Sequence, residues 1–129
     1  YPHMQEVDRP LWNAFLDRYG RGWENFEYDV RVGPPSGAAT GFDPQTQAVF
    51  EALTRLRIDA VGYRPEATWL FEVKPFAGIG TVGQLIGYGE LYITDRRPAV
   101  PVRLGVVTDR FQPAVGEVFK SEGIEVWLV

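Results

Sequence analysis

Cysteine is absent from this 129-residue chain, and histidine occurs once, at His3. Disulfides, thiolate nucleophiles and zinc sites built on Cys or clustered His are thereby excluded. No run of about 18 apolar residues is present, so no membrane span is expected. The opening residues Tyr-Pro-His-Met lack the basic-then-apolar order of a signal peptide, and residues 1–4 read as an expression scar or a disordered end. Lysine is scarce, two residues against eleven Arg, and the formal net charge is -4. There is thus no basic excess of the kind a dedicated nucleic-acid binder shows. Arg preference suits bidentate phosphate or carboxylate contacts, although genomic composition explains it more simply. What remains is the chemistry of carboxylates, Lys, Arg, Tyr and metals held by oxygen ligands.

With 45% hydrophobic residues, the chain suits one globular domain over residues 1–129. Residues 7–19 read as a helix, with Asp8 as cap, Pro10 in the first turn and Trp12, Phe15, Leu16 and Tyr19 at helical spacing. Residues 25–32 alternate, which predicts a half-buried strand with Phe26, Tyr28, Val30 and Val32 on one face and Glu27, Asp29 and Arg31 on the other. A Gly/Pro-rich loop over 33–41 precedes a second helix opened by Asp43-Pro44, whose end is either helix, with Leu56 facing the core, or already strand. Residues 57–63 and 68–75 form a strand pair around a turn at Arg64–Thr68. On the first of these strands Ile58, Ala60 and Gly62 share one face, and Arg57, Asp59, Val61 and Tyr63 the other. A glycine-containing helix over 81–95 follows, its small residues admitting close approach to the sheet, then an apolar strand over 100–109. A helix from Pro113 ends at a left-handed Gly123, and the last strand runs over 124–129. The order predicts an α/β fold, a central mixed sheet flanked by helices. The glycine-rich stretch 78–83 opens a helix but lacks the Lys-Ser/Thr ending of a phosphate loop, so no nucleotide cofactor is expected.

The informative stretch is Leu70-Phe71-Glu72-Val73-Lys74-Pro75. It is a core strand that carries an acid and an amine two residues apart, hence on one face. On the neighbouring strand Asp59 comes roughly level with Glu72 or Lys74. Buried charges must be paired or bind something. An isolated E-x-K is most often a plain salt bridge on a wet face of a sheet. The alternative is a carboxylate pair holding a divalent cation, with Lys74 beside it to neutralise phosphate charge or orient a water.

These residues, Arg57 to Pro75 followed by a helix that carries Gln84, resemble the PD-(D/E)xK nuclease superfamily, over roughly residues 8–129. The resemblance implies a restriction-endonuclease-like core in which Asp59 and Glu72 bind Mg²⁺ (or Mn²⁺) together with the backbone carbonyl of Val73. Lys74 then stands near the attacking water, and Gln84, with Tyr88 one turn on, packs at or reaches the site. The literal Pro-Asp pair is absent, because Ile58 precedes Asp59. Many members add an acid from the first helix, and Glu6, Asp8, Asp17 and Glu24 are the candidates. No insertion for target recognition is evident, as in small phage-encoded, repair-type or junction-type nucleases. The function implied is a divalent-metal-dependent nuclease that hydrolyses DNA phosphodiesters without obvious sequence specificity. The alternatives are a non-enzymatic phage structural or accessory protein and a DNA-binding subunit that needs a partner. The partners expected are DNA and a second copy or a larger phage or repair assembly, the location is the cytoplasm (that of a host if phage-encoded), and no membrane is involved. The last strand is apolar enough to pair with another copy. Arg57 and Tyr63 are expected to line the same cleft as Asp59.

Overall fold

The computed structural model describes residues 4, 8–33, 43–45 and 56–129. Five strands make one sheet in chain order: β1 (Asn25–Val32), β2 (Leu56–Arg64), β3 (Ala67–Val73), β4 (Val102–Thr108) and β5 (Ile124–Leu128). The first three are antiparallel neighbours; β3–β4 and β4–β5 are parallel. Antiparallel neighbours need only a short turn, whereas parallel ones need a crossover. Pro65-Glu66 therefore suffices between β2 and β3. Helices α2 (Ile79–Arg96) and α3 (Pro113–Ser121) supply the two crossovers. The mixed α/β sheet expected from the sequence is the one found.

The helices cover both faces. On one, α1 (Arg9–Tyr19) lays Trp12 and Phe15 over Trp69, Phe71 and Val73 of β3 and Val107 of β4, and Met4 is buried in the same cluster. Phe15 and Phe71 pack tilted at 58° with ring centroids 5.1 Å apart, and Trp12 Nε1 donates to the Tyr28 hydroxyl at 3.1 Å. On the other face Leu85 of α2 and Phe119 of α3 pack with Val106 and Ile124. A fully buried side chain of this size contributes about 2–3 kcal/mol. The odd positions of β3 thus belong to α1, and its even positions, Leu70 and Glu72, face α2. Among the described residues no helix is long and apolar enough to cross a membrane.

Several expectations need correction. Regular alternation fails in β1 and β2: Phe26 and Tyr28 pack toward α1, but Val30, Val32 and Ile58 pack with Val61, Leu70 and Tyr88 on the α2 side. The break coincides with Asp29, whose φ of 52° lies in the left-handed region and turns the strand over. Leu56 opens β2 and is exposed, so that end of the expected second helix is strand. Asp43–Gln45 are described, Pro44 and Gln45 being helical, and the rest of that helix and the loop 34–41 lie outside the described residues. Of the α2 glycines, only Gly89 has its approach to the sheet limited, since a Cβ there would sit 3.3 Å from Leu104. Gly83 and Gly87 face open space. The left-handed Gly123 after α3 is found, at φ 70°.

Candidate active site

The β2–β3 ladder runs from Arg64–Ala67 to Ala60–Phe71, and one further step of that register sets Asp59 opposite Glu72. The choice between Glu72 and Lys74 as the partner of Asp59 is therefore decided by the two-residue turn. Beyond Ala60 the backbone pairing stops. The N–H of Val73 is taken instead by Asp59 Oδ2 at 2.9 Å, which locks the Asp59 carboxyl against the end of β3. Opposite residues of an antiparallel pair point to the same face, so the two carboxyls meet and hydrogen-bond to each other.

Two carboxylates in contact inside a protein cannot both stay ionised unaided. Burial pushes Asp59 up to about 6, opposed by the Val73 N–H and the contact with Glu72. Burial, then the Asp59 charge, pushes Glu72 up to about 9, with Lys74 pulling the other way. Burial and their mutual charge thus both favour the protonated form of the pair. Glu72 Oε2 is buried and has no hydrogen-bond donor. An oxygen in that state is completed by a proton or by a cation.

Further residues surround the pair. Lys74, exposed just past the end of β3, is near enough for its charge to act on Glu72. Tyr88 of α2 is buried and is pushed up to about 12 by burial and by the charges of Glu72 and Asp59, while its hydroxyl bonds to Gln84. Gln84, one turn before Tyr88, is exposed and reaches the group only through that hydrogen bond. Among the candidate acids near the first helix, Asp8 is the one whose charge reaches both Asp59 and Glu72. It occupies the N-cap position of α1, yet its side chain makes no capping bond. Asp17 and Glu24 are exposed and act on neither carboxyl; Glu6 lies outside the described residues. Asp29 also acts on Asp59. It was missed as a site neighbour because alternation alone made it a surface residue of β1. The register, with Tyr28 opposite Ala60 and Val30 opposite Ile58, sets it across from Asp59.

Tyr63 does not join this group. Its hydroxyl donates to Glu27 and lies 3.3 Å from that of Tyr92, and burial holds it well above the ordinary tyrosine range. Arg96 completes that separate cluster, 3.9 Å from Glu27. A cavity of about 280 Å³ between Arg64, Trp69 and Arg103 lies at the start of β3, the end away from the carboxyls, and shares no residue with them.

Among the described residues no three acids are grouped to enclose a metal ion. The donor set is two carboxyl groups, one orphaned oxygen and an open side toward Lys74. That set fits a hard cation that keeps several waters, as Mg²⁺ does, and does not fit a closed structural site.

A mixed sheet with helices on both faces is a restriction-endonuclease-like fold, and the solved structures similar to this chain share it. A repair endonuclease from Pyrococcus abyssi matches with a TM-score of 0.57 at 17% identity, over 98% of this chain and 47% of that one. EndoMS in a dsDNA complex matches with a TM-score of 0.57 at 16% identity, over 98% and 46%, and EndoMS in apo form with 0.53 at 13%, over 98% and 47%. The chain therefore spans slightly less than half the length of each. No protein-family model matches it, and no curated protein does. The likeness is one of fold, and it lends no support to a phage source.

Proposed function

We propose that this chain is a divalent-metal-dependent nuclease domain that hydrolyses DNA phosphodiester bonds. The observation that carries the reading is the buried contact between Asp59 and Glu72, with one carboxylate oxygen left without a donor. Support comes from the fold, shared with a repair endonuclease and with EndoMS, the latter seen with dsDNA. Asp59, Glu72 and the backbone carbonyl of Val73 would hold Mg²⁺ or Mn²⁺. The ion, when bound, supplies positive charge against the phosphate and makes water more acidic. Asp59 is oriented for this by the Val73 N–H, and Glu72 by Asp59 itself. Lys74 places a second positive charge on the solvent side, where the phosphate arrives and where charge grows during attack. Gln84, exposed on α2, would hold the Tyr88 hydroxyl through their hydrogen bond.

The test is cleavage of plasmid and oligonucleotide DNA with Mg²⁺ or Mn²⁺, compared with Lys74→Ala and Glu72→Gln. Both variants are expected to fold and to lose cleavage by at least about 100-fold, as for removal of a transition-state donor. Full activity in either defeats the roles assigned.

A further inference from the structure

Just past Lys74 the backbone does something costly. Phe76 has a φ of 46°, a left-handed conformation that bulky side chains rarely adopt. The residue gains little burial in return, for it remains 46% exposed. The conformation is imposed by the loop after β4. The Phe76 N–H donates to Asp109 Oδ1 at 2.8 Å, and the Ala77 N–H donates to Thr108 Oγ1 and to the Arg110 carbonyl, both at 3.1 Å. The same loop sets the Arg110 guanidinium 4.8 Å from the centre of the Phe76 ring. Strain that the surroundings over-determine clusters at functional sites. Here it holds an aromatic ring in solvent with an arginine over it. By chain length alone its Cα lies within about 7 Å of that of Lys74.

We propose that Phe76 is a stacking platform for an unpaired nucleobase beside the scissile phosphate, with Arg110 contacting the adjoining backbone, so that single-stranded or locally unpaired DNA is the preferred substrate. A base within a duplex keeps both faces stacked on its neighbours and has none to offer the ring. An unpaired base does, and aromatic stacking of this kind tolerates any sequence. The guanidinium adds to the stack and leaves its edge N–H groups for phosphate oxygens. This rests on the nuclease reading above, and deepens it by naming the form of the DNA.

The experiment uses the full chain with Lys74→Ala, to bind without cutting, and a single-stranded oligonucleotide carrying 2-aminopurine, whose fluorescence is quenched on stacking. In parallel, cleavage of single- and double-stranded DNA is measured with Lys74 intact. Phe76→Ala is expected to weaken single-strand binding and cleavage by roughly 5- to 100-fold and to abolish the quench, while Phe76→Trp restores both. Phe76→Gly separates function from packing: glycine adopts this φ without penalty, so its melting temperature is expected to hold or rise while binding falls as in Phe76→Ala. Unchanged binding and cleavage in Phe76→Ala, a preference for intact duplex, or a loss in Phe76→Gly that only tracks a fall in melting temperature overturns the inference and leaves the nuclease reading standing. A wild-type chain that neither binds nor cuts any DNA overturns both.

Discussion

Replacing Glu72 by Gln should stabilise the metal-free protein, and increasingly so as pH rises. The side chain keeps its shape, its amide N–H can reach Asp59, and the ionisation problem disappears. The magnitude follows from the position of the group. Glu72 has an ordinary value of 4.5 and is pushed up to about 9, with burial the largest cause. A raised acid of this kind binds its proton more tightly in the folded state. Its contribution is complete below about pH 4.5 and is lost as pH rises toward about 9. At pH 8 the folded chain still holds the proton that the unfolded chain has released. At about 1.4 kcal/mol for each tenfold step, the ceiling on that cost is about 5 kcal/mol. Relaxation and water entry lower such figures, so about 2–4 kcal/mol is expected. In a chain of this length that corresponds to roughly 10 °C in melting temperature. At pH 5 the difference between wild type and Glu72→Gln should be under about 1 kcal/mol. Thermal denaturation of both proteins from pH 5 to 9, with and without Mn²⁺, reads all of this. Mn²⁺ should raise the wild-type transition at pH 8 by mass action and leave the variant unmoved. A difference that stays flat with pH, or a variant destabilised throughout, would refute the reasoning, because the carboxyl would then be neither buried nor coupled to Asp59.

Three further outcomes are expected. Asp8→Asn removes a charge that acts on both carboxyls; titration by NMR should find Asp59 and Glu72 ionising at lower pH, and if Asp8 also lends an oxygen to the ion, Mn²⁺ affinity should fall by about tenfold or more. Gly83→Ala and Gly87→Ala, which meet nothing within 4 Å, should each stabilise the chain by about 0.5–1 kcal/mol in urea titrations. Gly105→Ala should destabilise by about 1–3 kcal/mol, since its methyl would sit 2.9 Å from the Phe71 ring and from Trp127 Nε1.

The carboxyl pair stands where the sheet changes character. Strand β3 is antiparallel to β2 on one side and parallel to β4 on the other. The backbone ladder to β2 ends one residue short of Asp59, so the side chain of Asp59 inherits a backbone donor. Glu72 keeps its pairing with Val106 of β4 on the other side, and the helix that follows brings Tyr88 near both carboxyls.

Local chemistry was enough to read most of the elements. Alternation located β1, Pro and Gly punctuation located the helix ends, and the short Pro65-Glu66 turn made β2 and β3 a hairpin, so Asp59, Glu72 and Lys74 were legible as one group before any coordinates. Those are near-neighbour properties, carried by residues a few positions apart. The rest depended on contacts between distant segments. Periodicity cannot register a single left-handed residue, so the turning-over of β1 at Asp29 was hidden, and with it the approach of Asp29 to Asp59. Which of Glu6, Asp8, Asp17 and Glu24 comes near the carboxyls was undecidable, because that reach is set by how α1 lies on the sheet. The burial of Asp59 and Glu72, and the strained, exposed ring of Phe76, arise from how the β4 loop and α2 pack around the end of β3; burial and strain are properties of packing, and no stretch of sequence carries them alone.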